Sequence, residues 1–376
     1  MPDTFQIRDV FNPKVVTALA ERLKKADTTF NQQGFVDFIL PKLPDLTYSE
    51  RLNCITEALE KCLPEDYPIA VKILLDSLLP PYETDELESS YDRFIVVTKA
   101  AYVANNGLQH YDLSMQALYE ITQRMTAEWG IRPFLIEYPE KTLAILAKWA
   151  KDENPHVRRL VSEGSRPYLP WGKKLPYFEK QPQLTLDLLE LLKDDDSEYV
   201  RRSVANHLND HAKKHGDLVV ETLKRWQSEG TNKDKNRMIK HALRTLLKRG
   251  HPGALEILGY KKGAKVVVEN FQIDKEITVG EQLNFSFDVR STAEVTQPLM
   301  IDYVIYYQKA NGGLAPKVFK LTTKNLAAGA TLSFQKKQSF KVITTRKFHL
   351  GLHQLAIQVN GAELAKMDFM LKGGLS

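Results

Sequence analysis

The chain has 376 residues, 26% of them charged and 43% hydrophobic, a balance that fits ordinary folded domains and excludes a membrane-spanning or a disordered protein. Its formal charge of +5 is unevenly placed: residues 1–140 hold 13 Lys and Arg against 22 Asp and Glu, residues 141–265 hold 26 against 16, and residues 266–376 hold 13 against 9. Positive charge gathered in the middle third is expected either of a chain that faces phosphates there or of a solvated basic face.

The first residues, MPDTFQIRDVFNPKVVTALA, carry acids near the start and no long apolar core, so they do not read as a signal peptide. No later apolar run reaches the length of a membrane span. From residue 14 to about 258 apolar residues recur at three- and four-residue spacings, as in VVTALAERLKKA from Val15, RLNCITEALEKCL from Arg51, DLSMQALYEITQRM from Asp112 and LTLDLLELLK from Leu184. These blocks predict amphipathic helices of two to four turns. Cys54 and Cys62 fall on one of them, with no CxxC or Cys/His cluster nearby. Neither a disulfide framework nor a metal site is expected, and the expected location is the reducing cytoplasm.

The helical blocks are self-similar. NPHVRRLV from Asn154 aligns with SEYVRRSV from Ser197 at a shift of 43 residues, each preceded by an acidic turn (Asp152 and Glu153; Asp194 to Asp196) and opened by a cap residue. A weaker third copy starts near Asp234, with Met238, Ala242 and Leu246 on its apolar stripe. A period in the forties with Asp…Val-Arg predicts a HEAT-like solenoid of paired helices. A second match, AEWGIRPFL from Ala127 against SEGSRPYL from Ser162, places an acid before Arg-Pro-aromatic-Leu in both copies. The proline is expected to halt the helix each time and lead into an aromatic-bearing loop.

After Gly263 the texture changes to seven β-rich runs: VVVENFQI, QLNFSFDVRS, LMIDYVIYYQKA, KVFKLTT, LSFQKKQSFKVI, HQLAIQVN and KMDFMLKG, separated by GEQ, NGG, AAGA and NGAE turns. Such runs without cysteine predict an immunoglobulin-like sandwich. The expected fold is thus a two-domain α + β chain: an all-α HEAT-like repeat solenoid over 1–260 and a small all-β sandwich over 265–376.

There is no HExxH, GxSxG, GxGxxG or GxxxxGKS, so zinc peptidase, serine hydrolase and nucleotide-cofactor readings lose their usual support. What remains are acids inside the basic stretch. On the helix from Pro155 the stripe of Val157, Leu160, Val161 and Gly164 is matched by a polar one of Arg159, Glu163 and Arg166; on the helix from Glu198, Val200, Val204 and Leu208 are matched by Arg202, Asn206, Asp210 and Lys213. In the bland reading Glu163 pairs with Arg159, and Asp210 with Lys213 or Lys214, as ordinary helix ion pairs. In the functional reading, a phosphate-binding surface keeps acids only where positive charge must be stabilised, as in an oxocarbenium-like transition state. All four tryptophans lie between 129 and 226. Trp149, beside Ile145 and Leu146, and Trp226 read as core, whereas Trp171 in Pro170-Trp171-Gly172-Lys173-Lys174 reads as an exposed ring able to stack on a sugar or base.

Three segments, TAEWGIRPFL (126–135), NPHVRRLVSEGSRPYLPWG (154–172) and DDDSEYVRRSVANHLNDHAKKH (194–215), resemble the bacterial AlkC family of DNA glycosylases, and the resemblance extends to the Ig-like domain that a subset of the family carries. It implies a solenoid that wraps duplex DNA and hydrolyses the N-glycosidic bond of cationic N3-alkylated bases, 3-methyladenine and 3-methylcytosine, without flipping the base. It also implies catalytic roles for Glu128, Glu163 and Asp210, with Trp171 packed against the damaged nucleotide. The expected partner is double-stranded alkylated DNA, met by a monomer with no nucleotide cofactor and no membrane. Arg159, Arg166, Arg202, Lys213, Lys173 and Arg244 are the expected DNA contacts. Lys336, Lys337, Lys341, Arg346 and Lys347 suit a second grip on the duplex, or a scaffold. The reading from another class is a non-enzymatic HEAT-repeat and Ig-like adaptor for nucleic acid or acidic proteins; three acids and Trp171 beside arginine-rich helix ends speak for the enzyme.

Overall fold

The computed structural model describes residues 6–81, 91–342 and 347–373. It divides into two compact units, one of residues 1–214 with 231–242, the other of residues 215–230 with 243–376. Among the described residues no helix is long and apolar enough to cross a membrane.

The first unit is helical, and each predicted block is found: Pro13–Ala26, Tyr48–Cys62, Tyr111–Thr122 and Gln183–Leu192. The 43-residue repeat appears as two like-capped helices, Pro155–Gly164 and Glu198–His211, packed side by side, the second packing in turn on Lys233–Ala242. Asn154 Oδ1 accepts from His156 N at 2.8 Å and Ser197 Oγ from Val200 N at 3.4 Å, meeting amides that have no partner in the first turn. Asp152 and Asp195 brace these caps by accepting from Asn154 N at 2.8 Å and Ser197 N at 2.9 Å.

The first arginine of each Val-Arg-Arg joins one copy to the next. Arg158 donates to Asp195 through Nε at 2.6 Å and Nη2 at 2.9 Å, while Arg201 Nη2 stands 3.3 Å from Asp234 Oδ2. Each also bonds two carbonyls of its own acidic turn, Asp152 and Glu153 for Arg158, Asp195 and Asp196 for Arg201.

One expectation about the Arg-Pro motif is corrected. Pro167 follows the end of the helix Pro155–Gly164 as expected, but Pro133 opens a helix, Arg132–Glu137, instead of halting one. A proline lacks the N–H that a first turn leaves unbonded, so the same dipeptide suits either boundary.

Among the described residues of the second unit, the helices Gly216–Ser228, Arg244–Lys248 and Pro252–Ile257 accompany eight strands. The strands are β1 Val266–Ile273, β2 Glu276–Thr278, β3 Gln282–Ser291, β4 Gln297–Gln308, β5 Leu314–Leu326, β6 Thr331–Ser339, β7 Gly351–Val359 and β8 Ala362–Lys372. They form a three-stranded sheet, β1-β3-β6, and a five-stranded one, β2-β8-β7-β4-β5. Each of the seven runs read from the sequence contains a strand, the one in the run from Leu332 ending at Ser339 and the run's last residue, Ile343, lying outside the described residues; β2, three residues long, is too short to show alternation. Leu283, Phe285, Phe287 and Val289 alternate inward from β3 to meet Leu299, Ile301, Ile305, Leu355 and Ile357 in one core. Asn360-Gly361, both at positive φ, turns β7 into β8. Gly361 leaves no room for a side chain: a Cβ there would come within 2.3 Å of Gly250 Cα. Buried Asn360 fixes the turn by accepting from Met300 N at 2.7 Å and donating to Lys261 O at 2.9 Å.

Candidate active site

Glu128 sits in the turn before Arg132–Glu137, Glu163 near the end of Pro155–Gly164, and Asp210 near the end of Glu198–His211. All three are nearly buried, at 9, 5 and 2% exposure. Carboxylates taken this far from water need partners, and they share one connected set. Arg159 Nη1 donates to Glu128 Oε2, and its Nη2 lies 3.6 Å from Glu163 Oε1. Arg166 Nη1 donates to the same Glu163 oxygen at 2.6 Å and its Nε to Asp210 Oδ2 at 2.9 Å; Lys213 Nζ donates to Asp210 Oδ1 at 3.0 Å.

Two hydroxyls complete the set. Ser203 Oγ donates to Glu163 Oε2 at 2.7 Å, and Thr126 Oγ1 to Glu128 Oε2 at 3.0 Å while accepting from Arg159 Nη1 at 2.8 Å. Glu128 Oε1 takes no hydrogen bond from any described residue. Burial alone would push the Glu163 carboxyl up, but the charges of Arg159 and Arg166 and the bonds from Ser203 and Arg166 outweigh it and hold the group below its ordinary range. Burial would likewise weaken the charge of Arg166, and the Glu163 and Asp210 carboxylates reverse this. The bland ion pairs read from the sequence, Glu163 with Arg159 and Asp210 with Lys213, are thus present inside a larger network.

Trp171 stands on the loop that follows, with 79% of its surface exposed and its ring 5.8 Å from that of Tyr48. Tyr48 is half-buried; desolvation first, and the Glu128 charge second, push its phenol up to about 12. Trp171, Trp129, Thr126 and Lys173 line a cleft of roughly 190 Å³ together with Ala100, Ala101 and Ala104. Trp226 is fully buried, and Trp149 packs on Tyr119 at 5.6 Å.

The expected DNA contacts divide. Arg159 and Arg166 are turned to the acids and nearly buried, so their guanidinium groups are not open to a phosphate; Glu163, Glu128 and Asp210 outcompete solvent for them. Arg202 and Lys173 are exposed, and Lys213 is exposed beyond its bond to Asp210, with its amine 4.5 Å from the Tyr168 ring centre. Arg244, half-buried, belongs to the second unit. Lys336, Lys337, Lys341 and Lys347 are exposed in that unit, and Arg346 lies outside the described residues.

Sequence reasoning missed Thr126, Ser203, Tyr48 and Arg132. The two hydroxyls sit inside the quoted segments, and Arg132 is the motif counterpart of Arg166, so a closer reading of the internal match could have raised them. Tyr48 has no local signal, because only the tertiary fold brings it to Trp171.

A helical repeat unit with three acids on one arginine-bridged network, in a chain that ends in an Ig-like sandwich, marks a class, and comparison with known proteins agrees. Residues 119–246 match the family described as DNA alkylation repair enzyme, and residues 267–373 match the C-terminal Ig-like domain of YhaZ. YhaZ of Bacillus subtilis (strain 168) is 37% identical over 367 residues, 97% of this chain and 99% of YhaZ. The alkylpurine DNA glycosylase AlkC of Pseudomonas fluorescens, solved bound to DNA containing an abasic site analog, is 36% identical with a TM-score of 0.87, over 97% of this chain and 99% of that one. The chain belongs to the DNA alkylation repair family, in the AlkC-like branch that carries a C-terminal Ig-like domain.

Proposed function

We propose that the protein is a monofunctional DNA glycosylase that hydrolyses the N-glycosidic bond of cationic N3-alkylated bases, 3-methyladenine and 3-methylcytosine, in duplex DNA during base excision repair, as a monomer and without flipping the base. The observation that carries this reading is the convergence of Glu128, Glu163 and Asp210 on one buried network beside exposed Trp171. Family membership and the DNA-bound state of the AlkC relative support it.

An N3-alkylated base already bears positive charge, so the bond from C1′ to nitrogen breaks with its electron pair moving into the ring and neutralising the base. No acid is needed to protonate the leaving group. The sugar becomes an oxocarbenium-like cation, which fixed carboxylates stabilise, and water then bonds to C1′ and gives up a proton. Glu163 suits the electrostatic part because its flanking arginines keep it ionised. Glu128 Oε1, with no partner among the described residues, is the oxygen left for water or for the cation itself. Trp171 packs against the damaged nucleotide. Arg202, Lys173 and Lys213 hold phosphates, with Arg244 and the exposed lysines of the Ig-like domain as an auxiliary grip.

The test is release of 3-methyladenine and 3-methylcytosine from alkylated duplex DNA by the wild-type protein and by Glu163→Gln. Release by the former and loss in the latter is expected; no release of either base by wild type sinks the reading.

A further inference from the structure

Trp171 holds a backbone conformation that bulky residues avoid, with φ at +58°, and it does so without burying its ring. A strained residue that gains no burial persists only where the chain on both sides is fixed. Backbone bonds from Gly172 N to Leu169 O at 3.1 Å and from Leu175 N to Pro167 O at 3.2 Å close the turn, and one side chain joins its two ends. Arg132, at 1% exposure, donates through Nη1 to Gly164 O at 2.7 Å and Arg166 O at 2.9 Å, and through Nε to Lys173 O at 2.6 Å, with Nη2 on that same oxygen. The carbonyls before the loop and the one after it are therefore gathered on a single planar fork. The chain passes so close that a Cβ on Gly172 would stand 3.3 Å from Arg132 Nε and 3.1 Å from Leu169. From the outside, Trp129 Nε1 donates to Pro170 O at 3.2 Å.

We propose that Arg132 is a positioning residue that sets where the Trp171 indole stands relative to Glu163 and Asp210, by stapling the two ends of the 164–173 loop and the main chain of Arg166 together. Arg132 and Arg166 are corresponding arginines of the two Arg-Pro copies, and they have diverged: Arg166 binds carboxylates, Arg132 binds the carbonyls of its counterpart's loop. A lysine, with one short-range charge and no fork, cannot reach both ends. The inference rests on the reading of Trp171 as the residue that packs against the damaged nucleotide.

The test uses Arg132→Lys, alone and combined with Trp171→Phe. Protein labelled with 5-fluorotryptophan gives one ¹⁹F signal for each of four tryptophans, and the Trp171 signal is identified by its loss in Trp171→Phe. In Arg132→Lys the Trp171 signal is expected to broaden or move towards its unfolded position while those of Trp149 and Trp226 stay. Single-turnover excision is expected to fall about tenfold or more, as for a misplaced contact group, and the same change made in Trp171→Phe is expected to cost less than about twofold because the two act as a unit. An unmoved Trp171 signal, or an equal loss in both backgrounds, overturns the proposal. If the Trp149 and Trp226 signals collapse as well, the same cycle is run with Gly172→Ala, whose added Cβ presses on Arg132 Nε at 3.3 Å and leaves the buried guanidinium in place; a shifted Trp171 signal supports the staple and an unshifted one counts against it. The ¹⁹F readout does not depend on turnover, so a wild-type protein that releases no base defeats the glycosylase reading and leaves the loop geometry to be judged separately.

Discussion

Glu163 and Asp210 come from helices that start 43 residues apart in the repeat, and a single guanidinium, that of Arg166, binds both, at 2.6 and 2.9 Å. The bridge sets a positive charge between two like ones and so offsets their mutual repulsion. It also means that each acid is held by its neighbours as much as it is offered to a substrate.

Stability and activity should therefore separate at two residues of the site. Glu163→Gln leaves Arg159 and Arg166 short of a counter-charge, and loss of one member of a buried network costs about 3–5 kcal/mol. Thermal melting should show a drop of several degrees together with lost excision. Trp171→Ala removes a side chain that is 79% exposed, so its melting temperature should stay within about a degree of wild type while excision falls. A large loss of stability in Trp171→Ala would contradict the exposed placement of the ring.

The second arginine of one Val-Arg-Arg copy and the first of the other should behave oppositely. Arg202 is exposed and bonded to no described residue, so Arg202→Ala should weaken duplex binding evenly across sequences and lower the salt slope by about one. Arg158 is committed to Asp195 and two carbonyls; Arg158→Ala should leave that slope unchanged and destabilise by roughly 1–3 kcal/mol. Binding isotherms at several salt concentrations, beside melting curves, decide both.

Acid lability should trace in part to His207. The ring is fully buried, bonds the Ser162 carbonyl at 2.9 Å through Nδ1, stacks on His211 at 5.0 Å, and is held well below the usual histidine range, first by burial and then by the charges of His211, Arg166 and Arg132. The unfolded chain takes up that proton near pH 6.5 and the folded one does not, so stability falls as pH drops below about 6.5. His207→Asn, whose amide can replace the Nδ1 donor, should flatten the fall of melting temperature between pH 7 and pH 5. His353, lowered for the same first reason, retains the remainder.

The opposite sign is expected at Asp302. Burial at the bulge of β4 raises its carboxyl to about 6, against the opposing pull of Lys320, the Leu321 amide and Lys248. A raised carboxyl favours the fold below the ordinary aspartate range and loses that contribution as pH rises through about 6. Asp302→Asn should accordingly stabilise at pH 7.5, by roughly 1–3 kcal/mol, and make little difference at pH 3.5.

The elements were legible in the sequence because their signals are local: periodic stripes marked the helices, alternation marked seven strands, and the 43-residue match named Asn154 and Ser197 as caps before any contact was known. The three acids were legible through spacing and family resemblance. Burial was not. Arg159 and Arg166 look like phosphate ligands on a helical wheel; the local pairing of Arg159 with Glu163 was legible there, but only the tertiary fold brings Glu128 to Arg159 and Asp210 to Arg166. Pro133 was misread because a proline marks a helix boundary without saying which side of it is helical. Tyr48 could not be found, since its link to Trp171 spans most of the first unit's sequence.

The joints between repeats carry a consequence for how such a chain can change over generations. Arg158 reaches forward to Asp195, and Arg201 reaches forward to Asp234. The copy opened by Ser197 thus has both a socket, the acidic turn that receives Arg158, and a plug, Arg201, that enters the next acidic turn. Duplication or deletion of a whole copy rejoins a plug to a socket of the same kind, so the architecture can lengthen or shorten without stranding a charge in the seam. Modular growth of this sort favours inheritance in complete units.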